Sequence, residues 1–311
     1  MRVIFMGTPD FSVETLEEII RAGHEVVLVV SQPDKAVGRS KALKYTPVKA
    51  CALAHGLDVY QPERVRNAEC VAHLKEYEPD IIIVEAFGQI IPKEILDMPR
   101  FGCINVHASL LPKYRGASPI QWAVINGDEV TGVTIQRMDE GIDTGDIVAK
   151  QEVIIRATET GGTLFERLSK VGAKLCVKTM ADIEAGTATY TPQDHEQATH
   201  TAKIHKELGS IDWHRDAASI ECLIRGLDPW PSAYTRLGNK MLKIWRAEVV
   251  AGDPVAACGC IVRASRDGIL VQTGEGFLNL LEVQLEGKKR MSVEAFLNGC
   301  PIKDGTYLKK G

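Results

Sequence analysis

The sequence predicts an α/β protein in which a doubly wound domain with a mostly parallel sheet is followed by a small β-barrel. Three observations predict it. Over residues 1 to about 155, short β-branched runs alternate with helical stretches, the pattern of parallel strands with helices on both sheet faces. From Ile211 onward the pattern changes to short alternating runs separated by Gly-containing turns, which suits a small barrel. The length, 311 residues, is about two domains.

Taken in order, residues 3–6 read as the first strand and Gly7-Thr8-Pro9-Asp10 as a turn. Val13, Leu16, Glu17, Ile19 and Ile20 fit a helix that stops at Gly23, where glycine suits a left-handed C-terminal cap. Residues 25–31 form the second strand. After a polar loop, Thr46 caps a helix that has Pro47 in its first turn and ends before Gly56. Asn67 caps a helix reaching Tyr77, 80–84 and 102–107 are strands, and a helix from Ser118 ends at Asn126-Gly127. Strands at 131–138 and 147–155 and a long helix at 163–185 complete the first domain. The polar, weakly patterned stretch 191–209 reads as a linker, dividing the chain into domains 1–190 and 210–311. In the second, a helix at 217–226 precedes Asp228-Pro229-Trp230-Pro231. The runs 240–249, 258–264, 268–273 and 276–283 are barrel strands, and Ser292 opens a short closing helix.

Composition narrows the function classes. With 45% hydrophobic and 25% charged residues the chain can build ordinary globular cores. Thirty-seven basic against 41 acidic side chains give a net charge of -4, which disfavours a protein that grips nucleic acid by bulk charge. The distribution is uneven: residues 200–311 carry 16 basic and 13 acidic side chains, or +3, leaving -7 for residues 1–199. No apolar run approaches the roughly 18 residues of a membrane helix, and the N-terminal residues do not form a signal peptide. A cytoplasmic protein without membrane association is expected. The eight cysteines include no CxxC pair, and Cys258-Gly-Cys260 is tighter than a zinc-knuckle spacing, so free thiols are expected.

Ligands of an open α/β sheet bind beyond the carboxyl ends of its strands. Gly7-Thr8-Pro9-Asp10 is such an end, but neither GxGxxG nor a Walker-type loop is present, so nicotinamide binding and nucleotide hydrolysis have no motif. The strongest constellation is Asn105-Val106-His107. Strand alternation points Asn105 and His107 to one side and Ile104 and Val106 to the other. An amide donor beside an imidazole suits acyl transfer, where one stabilises an oxyanion and the other takes a proton. The same pair could simply tie down a strand end. Ser109 lies outside G-x-S-x-G and does not read as a hydrolase nucleophile. The loop Asp139-Glu140-Gly141-Ile142-Asp143-Thr144-Gly145-Asp146 lacks the EF-hand pattern, and one of its acids is better suited to orienting the histidine. A basic loop carries Lys35, Arg39, Lys41, Lys44 and Lys49 against Asp34 alone. In the second domain Lys240, Lys243 and Arg246 with Trp245, and Lys288-Lys289-Arg290, could present charge on one barrel face. Trp213, Trp230 and Trp245 read as packing residues.

Asn105-Val106-His107, Ser109-Leu110-Leu111-Pro112, Tyr114-Arg115-Gly116 and the loop from Asp139 to Gly145, in this order, resemble the signature of 10-formyltetrahydrofolate-dependent formyltransferases. Gly7-Thr8-Pro9-Asp10-Phe11, Gln32-Pro33-Asp34, Gly38-Arg39 and Pro229-Trp230-Pro231 extend the likeness over nearly the whole chain. The resemblance implies a Rossmann-like catalytic domain and a C-terminal barrel of oligonucleotide-binding type. It implies formyl transfer from 10-formyltetrahydrofolate to the α-amine of methionyl initiator tRNA, as a step of translation initiation, by a monomer that needs no metal. It puts the catalytic trio on Asn105, His107 and Asp143, and folate contacts on Ser109, Leu110, Leu111, Pro112, Phe87, Gly88 and Ile90. It puts tRNA contacts on Lys35, Arg39, Lys41, Lys44, Lys243 and Arg246. The competing readings are a sibling that hydrolyses formyltetrahydrofolate and, from another class, a non-catalytic RNA-binding protein. Glu85 departs from the small or apolar residue usual there and bears on the shape of the folate pocket wall.

Overall fold

The computed structural model describes residues 1–37 and 42–311. The chain divides into two compact units: Met1–Gly116 with Val130–Ile154 and Phe165–Thr201, and Ala117–Glu129 with Ile155–Leu164 and Ala202–Gly311.

In the first unit, β1 (Arg2–Gly7) leads through a short 3-10 turn into α1 (Val13–Arg21), whose Leu16 and Ile19 are buried. Gly23 takes φ +82°, as a left-handed helix exit requires. β2 (Glu25–Val30) follows, then a hairpin of β3 (Lys35–Val37) and β4 (Ala42–Lys44). The Thr46 hydroxyl accepts from the Lys49 N–H at 3.2 Å and so caps α2 (Pro47–Ala54). After β5 (Val59–Tyr60) comes α3 (Ala68–Glu76). Asn67 stands at its N-cap, but the side chain makes no capping hydrogen bond. β6 (Ile81–Glu85), α4 (Lys93–Leu96), β7 (Cys103–His107) and β8 (Arg115–Gly116) lead to α5 (Pro119–Ile125), which belongs to the second unit. β9 (Val130–Arg137), β10 (Ile147–Ile154), α6 (Gly161–Glu184) and β11 (His200–Thr201) follow.

The main sheet has the order β10-β9-β7-β6-β1-β2-β5, parallel from β7 to β5 and antiparallel at β9 and β10. Strands covered on both faces need apolar residues at every position, which is why Val3–Met6 and Ile81–Val84 are unbroken apolar runs and all buried. Burying one such side chain contributes about 1.5–3 kcal/mol. The carboxyl end of β7, next to β6 and β9, is where the polar residues gather.

The second unit contains α7 (Ala217–Gly226), capped by the Asp216 carboxylate accepting from the Ser219 N–H at 2.7 Å. Its strands are β12 (Ala233–Leu237), β13 (Lys240–Val250), β14 (Ile261–Ser265), β15 (Gly268–Gln272), β16 (Phe277–Leu285) and β17 (Met291–Ser292). α8 (Val293–Gly299), capped by Ser292, and β18 (Leu308–Lys309) end it. The antiparallel order is β14-β15-β16-β13-β12-β18. A Cys260–Tyr307 bridge, with the Leu308 N–H donating to the Gly259 carbonyl at 2.8 Å, curls the two ends of the sheet together. Ile220 and Ile224 of α7, Leu242, Ile244, Val271, Leu280 and Phe296 fill the interior. The expected architecture of a doubly wound sheet and a small barrel is present. The hairpin β3–β4 and the short strands β5, β8, β11 and β12 are additions to what the sequence predicts. Among the described residues no helix is long and apolar enough to cross a membrane.

Candidate active site

Asn105 and His107 sit at the end of β7, 8% and 7% exposed, with β9 as their antiparallel neighbour. The register sets Asn105 against Gln136 and His107 against Thr134. Asp143 comes to them from the loop between β9 and β10. Asp139 Oδ1 organises that loop by accepting from the Gly141 N–H at 3.0 Å and the Thr144 hydroxyl at 2.5 Å. Asp143 itself takes φ +54°, a left-handed conformation that aspartate tolerates better than most residues and that costs about 1–3 kcal/mol unless the surroundings impose it.

The surroundings do impose it. Asp143 Oδ2 accepts from the Gly116 N–H at 2.8 Å, and Oδ1 accepts from Gln136 Nε2 at 3.0 Å and Asn105 Nδ2 at 3.4 Å. His107 Nδ1 lies 3.6 Å from Oδ1. The other ring nitrogen, Nε2, is 2.9 Å from the Tyr114 carbonyl, which can only accept, so in this contact Nε2 carries the proton. Behind the loop, Gln193 Nε2 donates to the Asp143 carbonyl at 2.9 Å and to the Gly145 carbonyl at 2.7 Å. Buried Arg115 in turn donates to Gln193 Oε1 at 2.7 and 3.1 Å. The structure therefore brings the expected trio together and adds Gln136, Gln193, Arg115 and two backbone groups. Gln136 had a signal, since it is the cross-strand partner of Asn105. Gln193 had none, lying in a polar stretch without periodicity.

The residues expected at the folate are placed less uniformly. Ser109, Leu111 and Phe87 are buried, backbone included. The Ser109 hydroxyl donates to the Lys113 carbonyl at 2.7 Å, and the Leu111 N–H donates to Thr134 Oγ1 at 3.1 Å. Leu110 and Pro112 are half-buried, Gly88 is exposed at φ +80°, and Ile90 is 72% exposed. Thr8 Oγ1 and Gln32 Nε2 both donate to the Phe87 carbonyl at 3.1 Å, fixing this segment to the ends of β1 and β2.

Glu85 ends β6 but faces away from the Phe87 cluster, which gathers Ile82 and Val84. It is fully buried beside Thr15 of α1 and Gly172 and Cys176 of α6, and both carboxyl oxygens lack hydrogen-bond partners. Burial pushes its carboxyl well above the ordinary carboxylate range.

Of the basic residues, Lys35 and Lys44 are exposed and face each other across the β3–β4 hairpin, while Arg39 and Lys41 lie outside the described residues. Lys49 is engaged, donating to Asp34 at 2.5 Å and to Gln61 at 2.7 Å. That contact holds the Asp34 carboxyl below its ordinary range although burial opposes it. On β13, Lys243 is half-buried and Arg246 exposed, with a bulge between Ile244 and Arg246. Lys243 Nζ lies 5.6 Å from the Trp245 ring centre and the Arg290 guanidinium 4.6 Å. Arg290 also pairs with Glu282 at 2.7 Å, so it is not a free cation. Trp213 is a packing residue as expected, but Trp230 is 53% exposed.

Residues 1–180 match the family model described as formyl transferase, and residues 203–301 match that of the formyl transferase C-terminal domain. The chain belongs to the formyl transferase family. This formyltransferase is 62% identical over 308 residues to the methionyl-tRNA formyltransferase of Agathobacter rectalis, covering 99% of each chain. It is 54% identical over 314 residues to that of Lachnospira eligens, again covering 99% of each. Among solved structures, WlaRD, a sugar 3N-formyl transferase, shares the fold at a TM-score of 0.67 and 20% identity, covering 93% of this chain and 99% of its own. HypX from Aquifex aeolicus in complex with tetrahydrofolic acid matches at 0.63 and 19%, covering 98% of this chain and 48% of its own.

Proposed function

We propose that this formyltransferase moves the formyl group of 10-formyltetrahydrofolate onto the α-amine of methionine esterified to initiator tRNA, in the cytoplasm. The convergence of Asn105, His107 and Asp143 at one strand end is the observation that carries the chemistry. The identity to two methionyl-tRNA formyltransferases over almost the full length supports the acceptor.

The α-amine attacks the formyl carbon, and Asn105 Nδ2 donates to the oxyanion that develops on the formyl oxygen. His107 takes the amine proton at Nδ1, directly or through a water, because Nε2–H is held by the Tyr114 carbonyl. Asp143, 3.6 Å away, stabilises the imidazolium that results. Collapse of the tetrahedral intermediate breaks the carbon–N10 bond, the proton returns to N10, and tetrahydrofolate leaves. Folate lies along Ser109–Pro112 and Phe87–Ile90, where half-buried Leu110 and Pro112 and exposed Gly88 and Ile90 provide the surface. Residues 1–190 carry this chemistry, and 210–311 bind the tRNA body through Lys243 and Arg246. Lys35 and Lys44, with Arg39 and Lys41, contact the acceptor end, and phosphate contacts of this kind make binding salt-dependent.

The test is tetrahydrofolate release from 10-formyltetrahydrofolate with methionyl initiator tRNA, with deacylated tRNA or with buffer. Release only with the aminoacylated tRNA is expected. Equal release in buffer contradicts the proposal and identifies a formyltetrahydrofolate hydrolase.

A further inference from the structure

Glu17 on α1 and Cys51 and His55 at the end of α2 bring a carboxylate oxygen, a sulfur and an imidazole nitrogen within 4.8 Å of one another. Cys51 and His55 are four residues apart, so they stand one turn apart on the same helix face. Glu17 reaches that face from the neighbouring helix, with Oε1 3.9 Å from Cys51 Sγ and Oε2 4.0 Å from the Arg21 guanidinium. Burial and the Glu17 carboxylate push the Cys51 thiol up to about 11, so the sulfur keeps its proton while no cation stands between the two groups. None of the three side chains takes part in the site around Asp143.

We propose that Glu17, Cys51 and His55 bind a thiophilic divalent ion of the zinc type. Thiolate, imidazole and carboxylate form a ligand set that suits Zn²⁺, with bonds of about 2.3, 2.0 and 2.1 Å, whereas Mg²⁺ and Ca²⁺ require oxygen. A tetrahedron with such bonds separates its ligand atoms by roughly 3.3–3.7 Å. The three groups therefore close by about 1 Å, within reach of rotamer changes at half-buried Glu17 and exposed His55. Binding exchanges the Cys51 S–H for a metal–sulfur bond and releases that proton to solvent, with no change of oxidation state. His55 is exposed, which leaves the fourth position to water. A bound ion ties α2, the helix that follows β4, to α1.

Full-length protein, reduced and freed of metal with a chelator, is titrated with Co²⁺. A near-ultraviolet thiolate-to-cobalt band saturating at about one ion per chain is expected, displaced by Zn²⁺ and unaffected by excess Mg²⁺. Cys51→Ser abolishes the band, and His55→Ala or Glu17→Gln weakens Co²⁺ binding by at least about tenfold. Zn²⁺ also raises the melting temperature of the wild type but not of Cys51→Ser. Absence of the band, or an equal band in Cys51→Ser, overturns the proposal; in the second case another cysteine is the ligand. Circular dichroism confirms that each variant is folded, so a lost band reports lost ligation.

Discussion

Two acids in the first unit, half-buried Asp143 and fully buried Glu85, are given opposite surroundings by the same fold. Asp143 receives hydrogen bonds from a backbone N–H, from Gln136 and from Asn105, and faces His107. Glu85, at the end of the adjoining strand β6, has no hydrogen-bond partner for either oxygen and lies among Thr15, Gly172 and Cys176. A carboxylate ringed by donors is held in place and can stabilise a neighbouring cation. A carboxyl sealed in an apolar layer holds its proton and contributes nothing to the reaction. Proximity to the active strand thus matters less than the donors that surround the group.

The largest effects belong to the donor-rich side of that comparison. Asn105→Ala or His107→Ala is expected to lower turnover by about 10²–10⁴ in steady-state formyl transfer, with the melting temperature nearly unchanged. Gln136→Met removes one donor from Asp143 Oδ1 while conserving volume. A hydrogen bond to a charged group is worth about 1.5–3 kcal/mol, so kcat should fall by roughly 10–100-fold, with the Michaelis constant for tRNA little changed.

Glu85 tests the other side through stability. Its carboxyl titrates near 4.5 in an unfolded chain and well above that when folded. The unfolded state therefore releases its proton first as pH rises. Stability is full below the unfolded value and is lost towards the folded one, at up to about 1.4 kcal/mol per pH unit. Glu85→Met should flatten the fall in melting temperature as pH rises above about 4.5 and leave turnover within about twofold. An equally steep fall in the variant would mean that Glu85 is not the group responsible. The smallest effect lies at the hairpin. Lys35→Ala with Lys44→Ala should raise the Michaelis constant for methionyl-tRNA a few-fold and reduce its salt dependence, with kcat preserved.

The elements legible in the sequence share a physical property: they repeat, or they stop a repeat. Unbroken apolar runs marked β1, β2 and β6, and Thr46-Pro47 marked the start of α2. The period of two put Asn105 and His107 on one side of β7. The two-residue strands β5, β8 and β11 are too short to carry a period, and only the folded chain pairs Arg115 with His200 and Gly116 with Thr201. Asp143 could be placed near His107 only by resemblance, because its approach depends on a left-handed backbone and on donors from Gly116 and Gln136. Lys49 counted as one charge of a basic loop until its pairing with Asp34 withdrew it. The inward turn of Glu85 follows from strand alternation, since Ile82 and Val84 line the opposite face with Phe87.

The chemistry proposed for this site depends on the Asp143 carboxylate, which stands 3.6 Å from His107 Nδ1. Asp143→Asn tests it most directly, because the amide keeps the size of the side chain but loses the charge and places N–H groups against existing donors. Single-turnover formyl transfer with saturating 10-formyltetrahydrofolate and methionyl-tRNA, alongside a folate binding measurement, should show a rate lower by about 10²–10⁴ with folate affinity within a few-fold of wild type. A rate within about tenfold of wild type would contradict the assignment of the site.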